Sequence, residues 1–195
     1  LTERILTSIV FVIVLLGAIF QSEFASSILF FVMILLCQRE FYQFFKSTEI
    51  EPQKTMGTLA GLGFFTISVL NSMIDLHLGN LLLLIPTIFI IFLIELYRNK
   101  KLPIHNIAVT ILGIVYVAVP ITLLHELAYF NATTFGNDYS YEIIIGYFFV
   151  LWANDTGAYF VGRSLGKHKL FERISKEKKT TKKGNLRLDN NMMAT

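Results

Sequence analysis

Six apolar stretches separated by short polar runs set the pattern of this chain: residues 5–20, 24–41, 56–76, 81–97, 107–124 and 143–162. A helix needs about 17–25 mostly apolar residues to cross a bilayer. The pattern therefore predicts an all-α fold, a polytopic membrane helical bundle of six transmembrane helices. Pro86 and Pro120 fall inside the fourth and fifth stretches, and each is a candidate kink. Gly57 and Gly61 stand four residues apart in the third, the spacing at which small residues let two helices touch.

Charge sorts the loops into two groups. Arg4, Arg39, Lys46, Lys54, Arg98, Lys100, Lys101 and every basic residue from Arg163 onward fall on one side. Glu23, Asp75, His77, His125, Glu126, Asp138 and Glu142 fall on the other. All 17 Lys and Arg residues thus share a face, which by the positive-inside rule is cytoplasmic, with both termini inside. The net charge of +3 understates how basic that face is, and such a face attracts anionic lipid head groups.

Composition agrees with a membrane protein. Of 195 residues 54% are hydrophobic, and the mean hydropathy is +0.59. Both values exceed what a soluble domain shows. The first stretch lacks a small-residue cleavage pattern and is followed closely by a second, so it reads as a retained span and not a signal peptide. The lone Cys37 cannot form an internal disulfide and reads as a small core or lipid-facing residue. His77, His105 and His125 are isolated, which argues against zinc.

The last apolar stretch carries the candidate chemistry. In a helix, Asp155, Tyr159, Gly162 and Gly166 recur at i, i+4, i+7 and i+11 and form one stripe. A carboxylate at membrane depth costs about 2.5–3.5 kcal/mol, so Asp155 is expected to face the bundle or a wet cleft with a cation nearby. Arg163 and Lys167 are the nearest cations in sequence. A bland alternative weighs equally on composition alone: Asp155 caps the span and the glycines only pack helices. The stretch Gly162–Lys167 is not a phosphate-binding loop of the P-loop type, because Val161 stands where Gly is needed and His168 where Ser or Thr is. A glycine turn followed by Lys167, His168, Lys169 and Arg173 still suits phosphate, and a divalent ion could link that phosphate to the acid.

The run Trp152-Ala153-Asn154-Asp155-Thr156-Gly157-Ala158-Tyr159-Phe160-Val161-Gly162-Arg163, continuing through Gly166, Lys167 and Lys169, closely resembles the phosphatidate cytidylyltransferase (CDP-diglyceride synthase) family. Arg39-Glu40-Phe41-Tyr42, Glu95-Leu96-Tyr97 and Leu112-Gly113-Ile114-Val115-Tyr116 with Pro120 are similar to family features in the same order. The resemblance spans about residues 1–175. It implies a magnesium-dependent nucleotidyl transfer in which CTP and phosphatidic acid give CDP-diacylglycerol and pyrophosphate. On that reading Asp155 is catalytic and metal-linked, Lys167 is catalytic, and Arg163, Lys169, Ser175, Gly162 and Gly166 form the substrate site. The resemblance implies a multi-pass protein of a bacterial inner membrane, with a homodimer among the expectations and no nucleic-acid partner.

The chain departs from the family after Ser175. A lysine-rich tract replaces the family's Ser-Pro run, and the C-terminal signature carrying the principal metal-binding acids is not found. Residues 176–195 are expected to be a disordered basic tail, as a frameshift would leave, and the chain by itself is expected to be inactive. The reading from a different class is a small polytopic transporter or membrane scaffold, in which Asp155 couples to a cation.

Overall fold

The computed structural model describes residues 2–74, 84–129 and 139–165, and every regular element among them is helical. The elements are α1 (Thr2–Gln21), α2 (Glu23–Gln43) running on into a 3-10 turn (Phe44–Ser47), α3 (Lys54–Ile74), α4 (Leu84–Arg98), α5 (Pro103–Gly113), a π-helical segment (Ile114–Ala118), α6 (Val119–Leu127) and α7 (Tyr141–Leu165). Over the described residues each predicted stretch falls on one of these helices or, for the fifth, on α5, the π segment and α6 together. Two continuous helical stretches, Glu23–Ser47 and Pro103–Leu127, are long and apolar enough to cross a membrane, and Ile5–Gln21 is a shorter apolar helix. The chain divides into two units, Leu1–Trp152 and Ala153–Thr195.

Local chemistry explains several boundaries. Ser22 separates α1 from α2 with an extended backbone, and its hydroxyl accepts the Ala25 amide at 3.1 Å, a helix N-cap. Pro103 opens α5, where its missing amide hydrogen costs nothing. Pro86 lies in α4, two residues after the first described one. Pro120 does matter. A proline inside a helix cannot donate to the residue four back and crowds its carbonyl. The turn before it widens into the π segment, and the Val119 amide donates to Ile114 O, five residues back.

Within the first unit α2 packs on α1 and α3, α3 on α6 and the π segment, and α4 on α5. The apolar core is modest and includes Leu15, Ile19, Phe30, Ile34, Phe65, Ile91 and Ile144. The buried polar set is nearly as large: Ser26, Ser27, Gln38, Gln53, Thr58, Ser68, Glu95, Asn106, Thr110, Thr122 and His125. Meanwhile Leu6, Ile13, Phe89, Ile90, Phe92 and Leu123 lie exposed. Large apolar side chains on the outside, around an interior that mixes apolar residues with hydrogen-bonded polar ones, are the arrangement of a protein in lipid.

Gly57 and Gly61 do let helices touch. A Cβ on Gly57 would collide with the Tyr42 hydroxyl, and one on Gly61 would collide with the Gln38 amide. Gly113 belongs to the same contact, since a Cβ there would also meet the Tyr42 ring. These close approaches bring α2 against both α3 and α5. Tyr42 then donates to Thr110 O at 2.8 Å, and Gln38 Nε2 donates to Gly57 O and Gly113 O, each at 3.3 Å. Cys37, by contrast, is exposed on α2, the lipid-facing of its two expected settings.

Candidate functional site

Of the predicted site residues, Asp155, Gly162 and Arg163 are described, all on α7 in the second unit. Gly166, Lys167, Lys169 and Ser175 lie outside the described residues, as does the tail 176–195. Asp155 is exposed, and among the described residues it forms no ion pair. Arg163 does not reach it. The guanidinium instead donates to the Tyr159 hydroxyl at 3.2 Å, one helical turn away and on the same stripe. A Cβ on Gly157 or Gly162 would meet nothing within 4 Å, so no described neighbour uses the space these glycines leave. The acid, the phenol and the cation therefore stand in a line along one face of α7, with Tyr159 between Asp155 and Arg163.

Magnesium is usually held by one or two carboxylates completed by substrate phosphates. Among the described residues no group of three or more His, Cys, Asp or Glu side chains could hold a metal. Among the described residues Asp155 offers a single exposed carboxylate, a donor suited to an ion completed by phosphate oxygens.

The first unit holds a more elaborate polar constellation, which hydropathy did not reveal. Glu95, on α4, is 2% exposed, and its carboxylate accepts from Arg98 at 2.6 Å, Asn106 Nδ2 at 2.7 Å and Gln53 Nε2 at 2.8 Å. The pairing with Arg98 spans three residues and is within reach of a sequence reading. Burial and the amides of Gln53 and Asn106 were not legible, because those residues lie 42 and 11 positions away. Asn106 and Thr110 in turn fix the loop before α3. Asn106 Oδ1 accepts the Glu51 amide at 2.7 Å, and Thr110 Oγ1 accepts the Gln53 amide at 2.8 Å. One buried carboxylate thus joins α4, α5 and the 48–53 loop. The only clue in sequence is a polar residue interrupting an apolar run, as Gln38 and Thr110 also do.

A cleft of about 680 Å³ opens above this network, lined by Lys46, Glu51, Gln53, Lys54 and Arg98, among others. Glu51 pairs with Lys100 at 2.8 Å, and that hydrogen bond chiefly holds its carboxyl below the usual range. Arg98 also donates to Glu51 O at 3.1 Å. The loops that follow α2 and α4 therefore meet at one end of the first unit, and Lys46, Lys54, Arg98 and Lys100 gather there as the charge pattern grouped them. At the other end His125 is fully buried, with Nε2 3.1 Å from Ser27 Oγ and the ring set against Phe30, Phe65 and Tyr129.

A family model described as the cytidylyltransferase family matches residues 2–184. No curated protein and no solved structure matches the chain. The match takes in both described units, reaches past Lys169 and Ser175, and comprises nearly the whole sequence. With large apolar side chains exposed along its helices, and with the Asp155–Lys169 motif inside the matched span, the chain belongs to the cytidylyltransferase family, that of the CDP-diglyceride synthases, and is a membrane protein whose family points to CTP as a substrate.

Proposed function

We propose that this protein transfers the cytidylyl group of CTP to phosphatidate in phospholipid biosynthesis. A phosphate oxygen of phosphatidate attacks the α-phosphorus of CTP, the bond from that phosphorus to the bridging oxygen breaks, and pyrophosphate leaves with CDP-diacylglycerol as the other product. The family match over residues 2–184 carries the reading. The apolar exterior supports a substrate delivered from a bilayer.

In this proposal the helices form six spans, with the basic loops and both termini on the cytoplasmic side of a bacterial inner membrane. Bound magnesium would neutralise charge developing on the phosphates. Asp155 would supply its protein oxygen. Arg163, Lys167 and Lys169 would orient the phosphates, and Gly162, Gly166 and Ser175 would let backbone groups approach them. Tyr159, held by Arg163, would keep that guanidinium along the stripe it shares with Asp155.

The test is conversion of labelled CTP to a lipid-linked product in membranes containing either residues 1–195 by themselves, for which no product is expected, or the same residues joined to a family C-terminal half, to which the following outcomes apply. Product should require phosphatidate and magnesium, and Asp155→Asn should reduce the rate by about 10–100-fold, as loss of a metal-orienting group typically does. Product that forms equally well without phosphatidate would overturn the choice of acceptor. An undiminished rate in Asp155→Asn would remove that carboxylate from the site.

A further inference from the structure

The cleft at the end of α2, α3 and α4 has a chemistry of its own. Three cations line it, Lys46, Lys54 and Arg98, with one acid, Glu51. The acid is already engaged by Lys100, which lies outside the lining. Arg98 is fixed from behind by the buried Glu95 carboxylate, so the uncompensated charge comes from the two lysines. Among the described residues neither Lys46 nor Lys54 forms an ion pair. Two like charges directed at one cleft without a counter-ion repel each other, and a bound anion relieves that repulsion.

The backbone adds to the lysines. The first turn of α3 lines the cleft through Lys54, Thr55 and Met56. The Gly57 amide is taken by Gln53 O and the Lys54 amide by Pro52 O. Among the described residues the amides of Thr55 and Met56 have no acceptor. They stand at the positive end of a 21-residue helix dipole, where an anion is stabilised.

The surface is also held in place. Asn106 and Thr110 grip the Glu51 and Gln53 amides, while the Gln53 side chain, 5% exposed, is locked between Ile91 O at 2.9 Å and Glu95. A preformed loop loses little entropy when a ligand arrives. The volume, about 680 Å³, lies in the range of small-ligand sites, roughly 300–1,000 Å³.

We propose that this cleft binds a phosphate group, carried either by an anionic lipid head group or by a free nucleotide or pyrophosphate, on Lys46, Lys54 and the α3 N-terminus. The site is separate in sequence from the Asp155–Lys169 motif. It rests on the cleft's residues and not on the reaction proposed above: equal affinities of wild type and the Gln pair would remove the cleft and leave that reaction standing.

The experiment uses the purified protein in detergent, its Lys46→Gln/Lys54→Gln double variant and the charge-preserving Lys46→Arg/Lys54→Arg variant. Both lysines are at the surface of the cleft and outside the buried hydrogen bonds, so the variants should elute and melt as wild type does. One arm measures affinity for short-chain phosphatidate, the other for CTP and pyrophosphate by titration calorimetry. The Gln pair should weaken binding in at least one arm by about tenfold or more, and the Arg pair should restore it. Loss confined to phosphatidate assigns the cleft to a lipid head group, and loss confined to CTP and pyrophosphate assigns it to a free phosphate. Equal affinities of wild type and the Gln pair in both arms, or no binding to wild type in either, would overturn the proposal.

Discussion

Removing the Glu95 carboxylate tests whether the buried polar interior is structural. In Glu95→Ala three donors lose their acceptor, but unequally. Asn106 is fully buried, and its Nδ2 would be left with no partner. Gln53 Nε2 keeps Ile91 O at 2.9 Å. Arg98 keeps Glu51 O, and its side chain is 25% exposed, so water can reach it. Breaking a buried pair by deleting one partner costs about 3–5 kcal/mol, and an orphaned buried donor about 1–3 kcal/mol. With two of the three donors partly compensated, the low end applies, about 3 kcal/mol. For a chain of this size each kcal/mol lowers the melting temperature by about 2–4 °C, so the expected drop is about 6–12 °C. Glu95→Gln retains one acceptor oxygen but turns an amide toward Arg98 or Asn106, and should fall between the alanine variant and wild type. The assay is thermal unfolding in detergent followed through the single Trp152, with the exposed Glu40→Ala as a control expected within about 0.5 kcal/mol of wild type. A Glu95→Ala protein that melts with that control would refute the idea that this carboxylate holds α4 and α5 to the loop.

Alanine at Gly57 or Gly113 should each cost about 1–3 kcal/mol, because the added methyl meets Tyr42, whereas Gly63→Ala, with nothing within 4 Å, should be within about 0.5 kcal/mol of wild type or slightly stabilising. The three melting temperatures side by side check this, and a Gly113→Ala variant as stable as Gly63→Ala would contradict the packing. Ser22→Ala should lose about 1 kcal/mol through the α2 cap, read in the same thermal assay. The Glu51 carboxyl titrates lower in the folded protein than its ordinary value of 4.5, chiefly through the hydrogen bond from Lys100, so its stabilising effect is present above that value and disappears as pH falls through the lowered one. Wild type and Glu51→Gln should therefore differ at pH 6 and converge as the pH falls below 4.5, with the difference at pH 6 reduced by salt; a constant gap from pH 6 to pH 3 would exclude this pair as its source.

The helices were legible because each is a long apolar run whose ends are marked locally, by Ser22, Pro103 and the charged loops. Gly57 and Gly61 were legible for the same reason: four-residue spacing is a local signal. What could not be read was the tertiary partner. Tyr42 meets Thr110 across 68 positions, and Gln53 meets Glu95 across 42. One partner of Glu95, Arg98, is three residues away, while the amides that bury it come from the 48–53 loop and from α5. Pro120 signalled a disturbance, but whether the chain would kink or widen depended on the neighbours of the turn before it. The Asp155 motif was recognisable from its residues. Of its two expected cations, Lys167 lies outside the described residues and Arg163 turns to Tyr159, since residues one turn apart meet more readily than residues two turns apart.

The widened turn before Pro120 has a further effect. Each residue in a regular helix advances the chain by about 100° around its axis, so one extra residue per turn re-phases everything that follows. In one continuous helical stretch, Asn106 and Thr110 point toward α4 and the 48–53 loop, while His125 points toward Ser27 on α2. The π segment therefore acts as a rotational coupling between two halves that serve different neighbours. Deleting one residue within it would turn the far half by about that angle and swing His125 off Ser27 while leaving the near half gripping the loop.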